Sequence, residues 1–216
     1  LGDVYKRQAS MFMGAGPEVH GYTEWGSRTP ELPSRVIVKN NIFPTIFQIY
    51  RDANPKAEIG VLSEWAGIQF LVDTLSTDYH AVAPDYNKFP TALCEMAEKY
   101  IKENKPSLVA ICFDNPDHVG HKEGHDTPAY YSKLEELDGY IARIVAAVKE
   151  AGMYDDTIFI ITSDHGGIKK GHGGKTMAEM QTPFIIAGKN IKKAGEFQES
   201  MVQYDVAATM AYIFGL

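Results

Sequence analysis

The sequence is poor in cysteine, has no excess of positive charge and contains no long apolar run; each shortage removes a class of protein. Only Cys94 and Cys112 occur in 216 residues. One sits in a helical pattern and the other in an apolar run of strand character, so no disulfide framework is indicated. Lysine and arginine number 21 against 28 aspartates and glutamates, a net charge of −7. A protein that grips a nucleic-acid backbone is normally basic, so no nucleic-acid partner is expected. That charge does not exclude a small phosphorylated substrate, because bound metals supply positive potential that composition does not count. No stretch approaches the ~18 consecutive apolar residues of a membrane-crossing helix, and no transmembrane segment is expected in this chain. Internal repeats and low-complexity tracts are missing too. The 44% hydrophobic and 23% charged content is that of an ordinary globular domain.

What is present alternates between strand-like and helix-like runs. Glu58–Trp65, His80–Ala83, Leu108–Asp114, Thr157–Ser163 and Pro183–Ala187 read as strands, several of them apolar on both faces. Helical spacing of apolar residues marks Phe43–Ala53, Lys88–Asn104 and Tyr204–Phe214. The longest helix opens at Thr127-Pro128, with Thr127 as N-cap and Pro128 at the first position, and Gly152 stops it. Its stripe of Leu134, Leu137, Ile141, Ile144, Val145 and Val148 has the spacing of a face that packs on a sheet. This alternation predicts an α/β fold, a mostly parallel sheet with helices on both faces. The first eight residues, LGDVYKRQ, differ in style from the rest of the chain and look like a translated adapter or vector scar. They are set aside, and a single domain, partial at both ends, is expected over residues 9–216.

Chemistry concentrates between Cys112 and Glu179. Two apolar runs, LVAICFD (Leu108–Asp114) and TIFIITSD (Thr157–Asp164), each end in a carboxylate and pass at once into a Gly- and His-rich loop, within CFDNPDHVGHKEGH and TIFIITSDHGGIKKGHGGKTMAE. Of seven histidines, His118, His121, His125, His165 and His172 lie in this window. Carboxylate and imidazole placed together just past strand ends are what a divalent metal site needs. Asp117 and His121 are four apart, but Pro116 and Gly120 point to a loop rather than a helix. Gly166, Gly167, Gly173 and Gly174 suggest a loop that turns back under a strand end, with at least one at positive φ. Thr45, in a Phe-Pro-Thr triplet, reads as the first turn of a helix and not as a nucleophile.

The order D-x-x-x-H, long helix, SDHGG, then GHGG-x(4)-E-x(2)-TPFI resembles the alkaline phosphatase superfamily, most of all its type I phosphodiesterase/nucleotide pyrophosphatase branch. Ser10–Tyr22, SMFMGAGPEVHGY, is similar to a stretch that comes after the nucleophile in that branch. The resemblance implies an alkaline-phosphatase-like three-layer fold and hydrolysis of phosphate esters, mono- or diesters, through a covalent intermediate and two divalent metal ions, in the zinc class. Asp117, His121 and His172 would hold one ion; Asp164 and His165 would hold the other, roughly 3.5–4 Å away. The nucleophile is expected upstream of Ala9, leaving the chain able to bind metal but without turnover. Trp25, Lys175 and His125 are candidate substrate contacts, and His20 a structural histidine. A small-molecule phosphate or sulfate ester is the expected partner. A sulfatase of the same superfamily and a non-catalytic metal-binding relative are the alternatives, and a periplasmic or secreted location is the expectation.

Overall fold

The computed structural model describes residues 4–24, 26–38, 41–193 and 195–216. At its centre is β1 (Ile59–Ser63), all five of whose residues are buried. It lies between β2 (Tyr79–Val82) and β3 (Leu108–Cys112) and pairs in parallel with both. The register aligns Ser63 with Val82 on one side and with Cys112 on the other. All three strands therefore end at one edge, and the chain leaves each of them there.

The alternation of β1 side chains divides the core into two layers. Ile59 and Val61 face one cluster, in which Phe12 of α1 (Val4–Met13) and Phe47 of α3 (Ile46–Ala53) meet at a ring separation of 5.4 Å. Between them in sequence lies the single turn of α2 (Pro17–His20). α8 (Asp205–Phe214) closes that layer, its Phe214 ring 4.1 Å from Tyr50. Leu62 faces the opposite cluster, against Leu93, Ala97 and Tyr100 of α4 (Ala92–Asn104). Gly60 is small because the Tyr100 ring lies where a Cβ would stand. Each fully buried Leu, Ile or Phe contributes roughly 1.5–3 kcal/mol of transfer free energy, so these two faces fix the strand order before any functional residue is placed.

α6 (Pro128–Glu150) packs along α4, burying Ala147 and Val148 beside Ile101. Thr127 caps it as expected, accepting the Tyr130 amide at 3.3 Å. The expected stripe is buried only toward its C-terminal end. Leu134 is 40% exposed, and the first turns border a cleft instead of the sheet.

One expectation needs correction. β4 (Ile158–Thr162) and β5 (Phe184–Gly188) pair antiparallel and form a second sheet, not hydrogen-bonded to the first among the described residues. A parallel return normally carries a crossover helix across the sheet. The helix between these strands is the four-residue α7 (Met177–Met180), too short for a crossover, so the chain doubles back beside β4. α1 starts at Val4, among the residues set aside above, and runs to Met13, where Gly14 (φ 63°) ends it.

Candidate metal centre

Past the end of β3 the chain turns at once into α5 (Asp117–Glu123), with Pro116 in the N-cap position. The sequence predicts a loop here; the structure has a helix. Proline is well tolerated at a helix start, and Gly120 answers a packing need rather than a turn. The ring of His125 lies where its Cβ would be. Because i and i+4 share a helical face, Asp117 and His121 project together, with His121 Nε2 3.3 Å from Asp117 Oδ2.

The second loop leaves β4 through Ser163, Asp164 and His165 and turns in a small bridge between Ile168 and Gly171. That bridge is tied to α5. Lys169 carbonyl accepts from His125 N (2.6 Å), and Lys170 Nζ donates to Lys122 carbonyl (2.7 Å). Gly173, at φ 96°, is the one of the four loop glycines in the left-handed region. His172 is thereby placed with its Nε2 3.0 Å from His121 Nε2 and 3.8 Å from Asp117 Oδ1. Asp117, His121 and His172 each present one ligand atom, all within 4.8 Å of one another.

The hydrogen bonds orient these rings. His121 Nδ1 faces Lys170 carbonyl at 3.0 Å, His125 Nδ1 faces Lys169 carbonyl at 3.0 Å, and His165 Nδ1 faces Gly166 carbonyl at 2.7 Å. A carbonyl only accepts, so each Nδ1 carries the proton and each neutral ring turns a bare Nε2 lone pair inward. There those lone pairs meet carboxylates: Asp117 Oδ1 is 3.6 Å from His125 Nε2, and Asp164 Oδ2 is 3.7 Å from His165 Nε2. Asp117 Oδ1 is buried and has no hydrogen-bond partner among the described residues. Acceptors crowded on acceptors, with a buried oxygen unsatisfied, fit a divalent cation. Burial pushes His172 down to about 4, so it is a neutral ligand at physiological pH. Burial raises the Asp164 carboxyl above its ordinary range.

Asp164 and His165 stand beside the triad, the His165 and His172 rings stacked 3.9 Å apart. Together they offer two protein donors. His125 is not at a cleft wall. It is 8% exposed, its ring wedged where Cβ atoms on Gly120 and Gly167 would stand. Lys175 is exposed in the loop before α7, and Trp25 lies outside the described residues. His20 is buried, accepting the Tyr22 amide on Nδ1 (3.1 Å) and facing Ser10 Oγ through Nε2 (3.1 Å). Thr45 is fully buried and caps α3 through the Gln48 amide.

Sequence reasoning missed the clamp on the glycine loop. Glu179 accepts from Gly174 N (2.8 Å) and Thr176 Oγ1 (2.6 Å), while its carbonyl accepts from Gly166 N and Arg7 Nη1. Its place in GHGG-x(4)-E was the available signal. Gln8 Nε2 donates to Asp164 Oδ2 at 3.0 Å, a contact with no signal in the sequence.

A family model described as "Type I phosphodiesterase / nucleotide pyrophosphatase" matches residues 5–184. The human "GPI ethanolamine phosphate transferase 2, catalytic subunit" is 28% identical over 138 residues, 61% of this chain and 14% of that protein. A "2-O GAG sulfatase" superposes with a TM-score of 0.70 at 16% identity, over 98% of this chain and 60% of the other. Murine ectonucleotide pyrophosphatase/phosphodiesterase 5 gives 0.55 at 20% identity, over 76% and 46%. The chain thus spans less than two thirds of the length of each, and the two solved structures establish the alkaline-phosphatase-like fold.

Proposed function

Because the chain belongs to the type I phosphodiesterase/nucleotide pyrophosphatase family, we propose that it acts on phosphate esters with two zinc ions. Asp117, His121 and His172 hold one ion, and Asp164 with His165 contributes to the second. The observation that carries this reading is the convergence of three ligand atoms within 4.8 Å around a buried, unpartnered carboxylate oxygen. Bound there, a divalent ion supplies the positive charge that phosphoryl transfer requires. The chain's own share is orientation: backbone carbonyls set the tautomers of His121 and His165, and the Glu179 clamp holds the loop that carries His172.

Four hydroxyls near the ligands or in the resembling N-terminal stretches are already engaged. Ser163 Oγ donates to His165 carbonyl and Thr162 Oγ1 to Pro183 carbonyl, Ser10 faces His20, and Thr45 caps a helix. None of these four hydroxyls is assigned as the nucleophile.

A sulfatase is the second reading, favoured by the 0.70 TM-score alone. Calorimetry separates the two. The zinc-loaded chain should bind inorganic phosphate at least about tenfold (1.4 kcal/mol) tighter than sulfate, and His172→Ala should weaken zinc binding by about tenfold or more. Tighter sulfate binding would support the sulfatase, and zinc binding unchanged in His172→Ala would remove the triad.

A further inference from the structure

Two segments bring the three ligands together: α5 carries Asp117 and His121, and the glycine loop carries His172. The loop is held by a carboxylate, Glu179, that accepts backbone amides. The chain entering α5 is held in the same way by Glu64, the first residue past β1. Its own amide donates to Cys112 carbonyl (3.1 Å) at the end of β3, and its side chain accepts the Asp114 amide at 2.7 Å. The Asn115 amide donates to the same carboxylate. Asp114 passes the hold on, its carbonyl accepting the amide of His118 (3.3 Å), the residue after Asp117 in the first turn of α5.

The side chain of Glu64 stands with Tyr86 and Asn115 in the wall of the cleft that the first turns of α6 border. Amide bonds to a carboxylate are roughly twice as strong as neutral ones, so this is a firm joint between β1 and the turn after β3. At its far end, α5 is tied to the glycine loop through Lys169 and Lys170; at its near end, Glu64 supplies the tie to the sheet. The angle between those ties matters. His121 lies one turn, about 6 Å, beyond Asp117, so a tilt of ~10° at the start of α5 moves it by ~1 Å. Metal–ligand distances are held to about 0.2 Å.

We propose that Glu64 is a positioning residue for the metal centre: through the Asp114 backbone it sets the angle at which α5 presents Asp117 and His121 to His172. This rests on the metal-centre reading above and adds to it a residue that touches none of the three ligands by a hydrogen bond of its own. Each ligand-bearing segment then has its own carboxylate anchor, Glu64 for α5 and Glu179 for the loop.

Zinc titration of the full chain and two variants tests it, with cobalt(II) as a reporter of geometry. Glu64→Gln keeps an oxygen for the Asp114 amide and should bind zinc within about twofold of the native chain, whereas Glu64→Ala should bind it about tenfold or more weakly, the scale of losing an orienting partner. The visible cobalt bands of Glu64→Gln should match the native ones, and those of Glu64→Ala should shift. A Glu64→Ala chain that melts at a lower temperature, yet keeps native zinc affinity and cobalt bands, has lost only a structural contact, and that result overturns the proposal. Glu64→Gln binding as weakly as Glu64→Ala overturns it too. If Glu64→Ala does not fold, hydrogen exchange on the native chain decides. Zinc should slow exchange at the Asp114 and His118 amides, and unchanged exchange there overturns the role. A native chain that takes up no zinc is a different failure: it removes the metal centre, and this role with it.

Discussion

At the scale of single residues, the site is defined by where protons are. Three histidines give their Nδ1 hydrogens to backbone carbonyls, which leaves lone pairs and carboxylates facing inward. Such an arrangement is costly without a cation, and Asp164 shows this most directly. Its raised pKa comes first from burial, so the ionised form opposes folding of the metal-free chain. The penalty is absent at low pH and grows as pH rises past the ordinary carboxyl value, because the unfolded chain releases its proton first. Asp164→Asn should therefore raise the melting temperature of the metal-free chain at pH 7, by a few degrees per kcal/mol gained at this size, while weakening zinc binding. A melting curve with and without zinc checks both halves, and a lower metal-free melting temperature would contradict the argument.

At the scale of elements, α5 shows local rules yielding to packing. Gly and Pro within four residues of each other argue for a loop. The structure instead uses Pro116 as the cap and Gly120 as the space into which His125 fits. Alanine at a helix-interior glycine normally stabilises by ~1 kcal/mol, and Gly120 has no positive φ to forbid it. Here the His125 ring fills that space. We expect Gly120→Ala to destabilise the chain and lower its zinc affinity, and Gly120→Ala/His125→Ala to be more stable than the two single effects added together. Urea unfolding of the four species gives the coupling; simple additivity would mean the ring moves aside freely. The Thr127-Pro128 start of α6, by contrast, was legible from two residues, because capping is settled within one turn.

At the scale of the whole molecule, the two cysteines report on the core. Burial pushes Cys94 up to about 11, and Cys112 up to about 12 with the charge of Asp164 behind it. The thiolate is the reactive form. Both should resist iodoacetamide at pH 8 in the folded chain and react on unfolding in urea, followed by mass spectrometry. Rapid labelling of the native chain would mean that the layer between β3 and the site is open.

The sequence by itself determined the five strand runs, the existence and ends of the longer helices, the Thr127 cap of α6, and the carboxylate–imidazole pairs at two strand ends, because those signals act over a few residues. The order of those pairs along the chain was enough to point to the family. Only the tertiary structure decided that β5 runs antiparallel, that Asp117 and His121 share a helix, and that His172 completes their triad. It also decided the tautomers, since the carbonyls that hold His121 and His125 lie 49 and 44 residues away along the chain. The cleft of Glu64, Tyr86 and Asn115 was invisible for the same reason. Its walls come from the chain just past three strands and from the helices α5 and α6, and only the register of the parallel sheet brings them to one place.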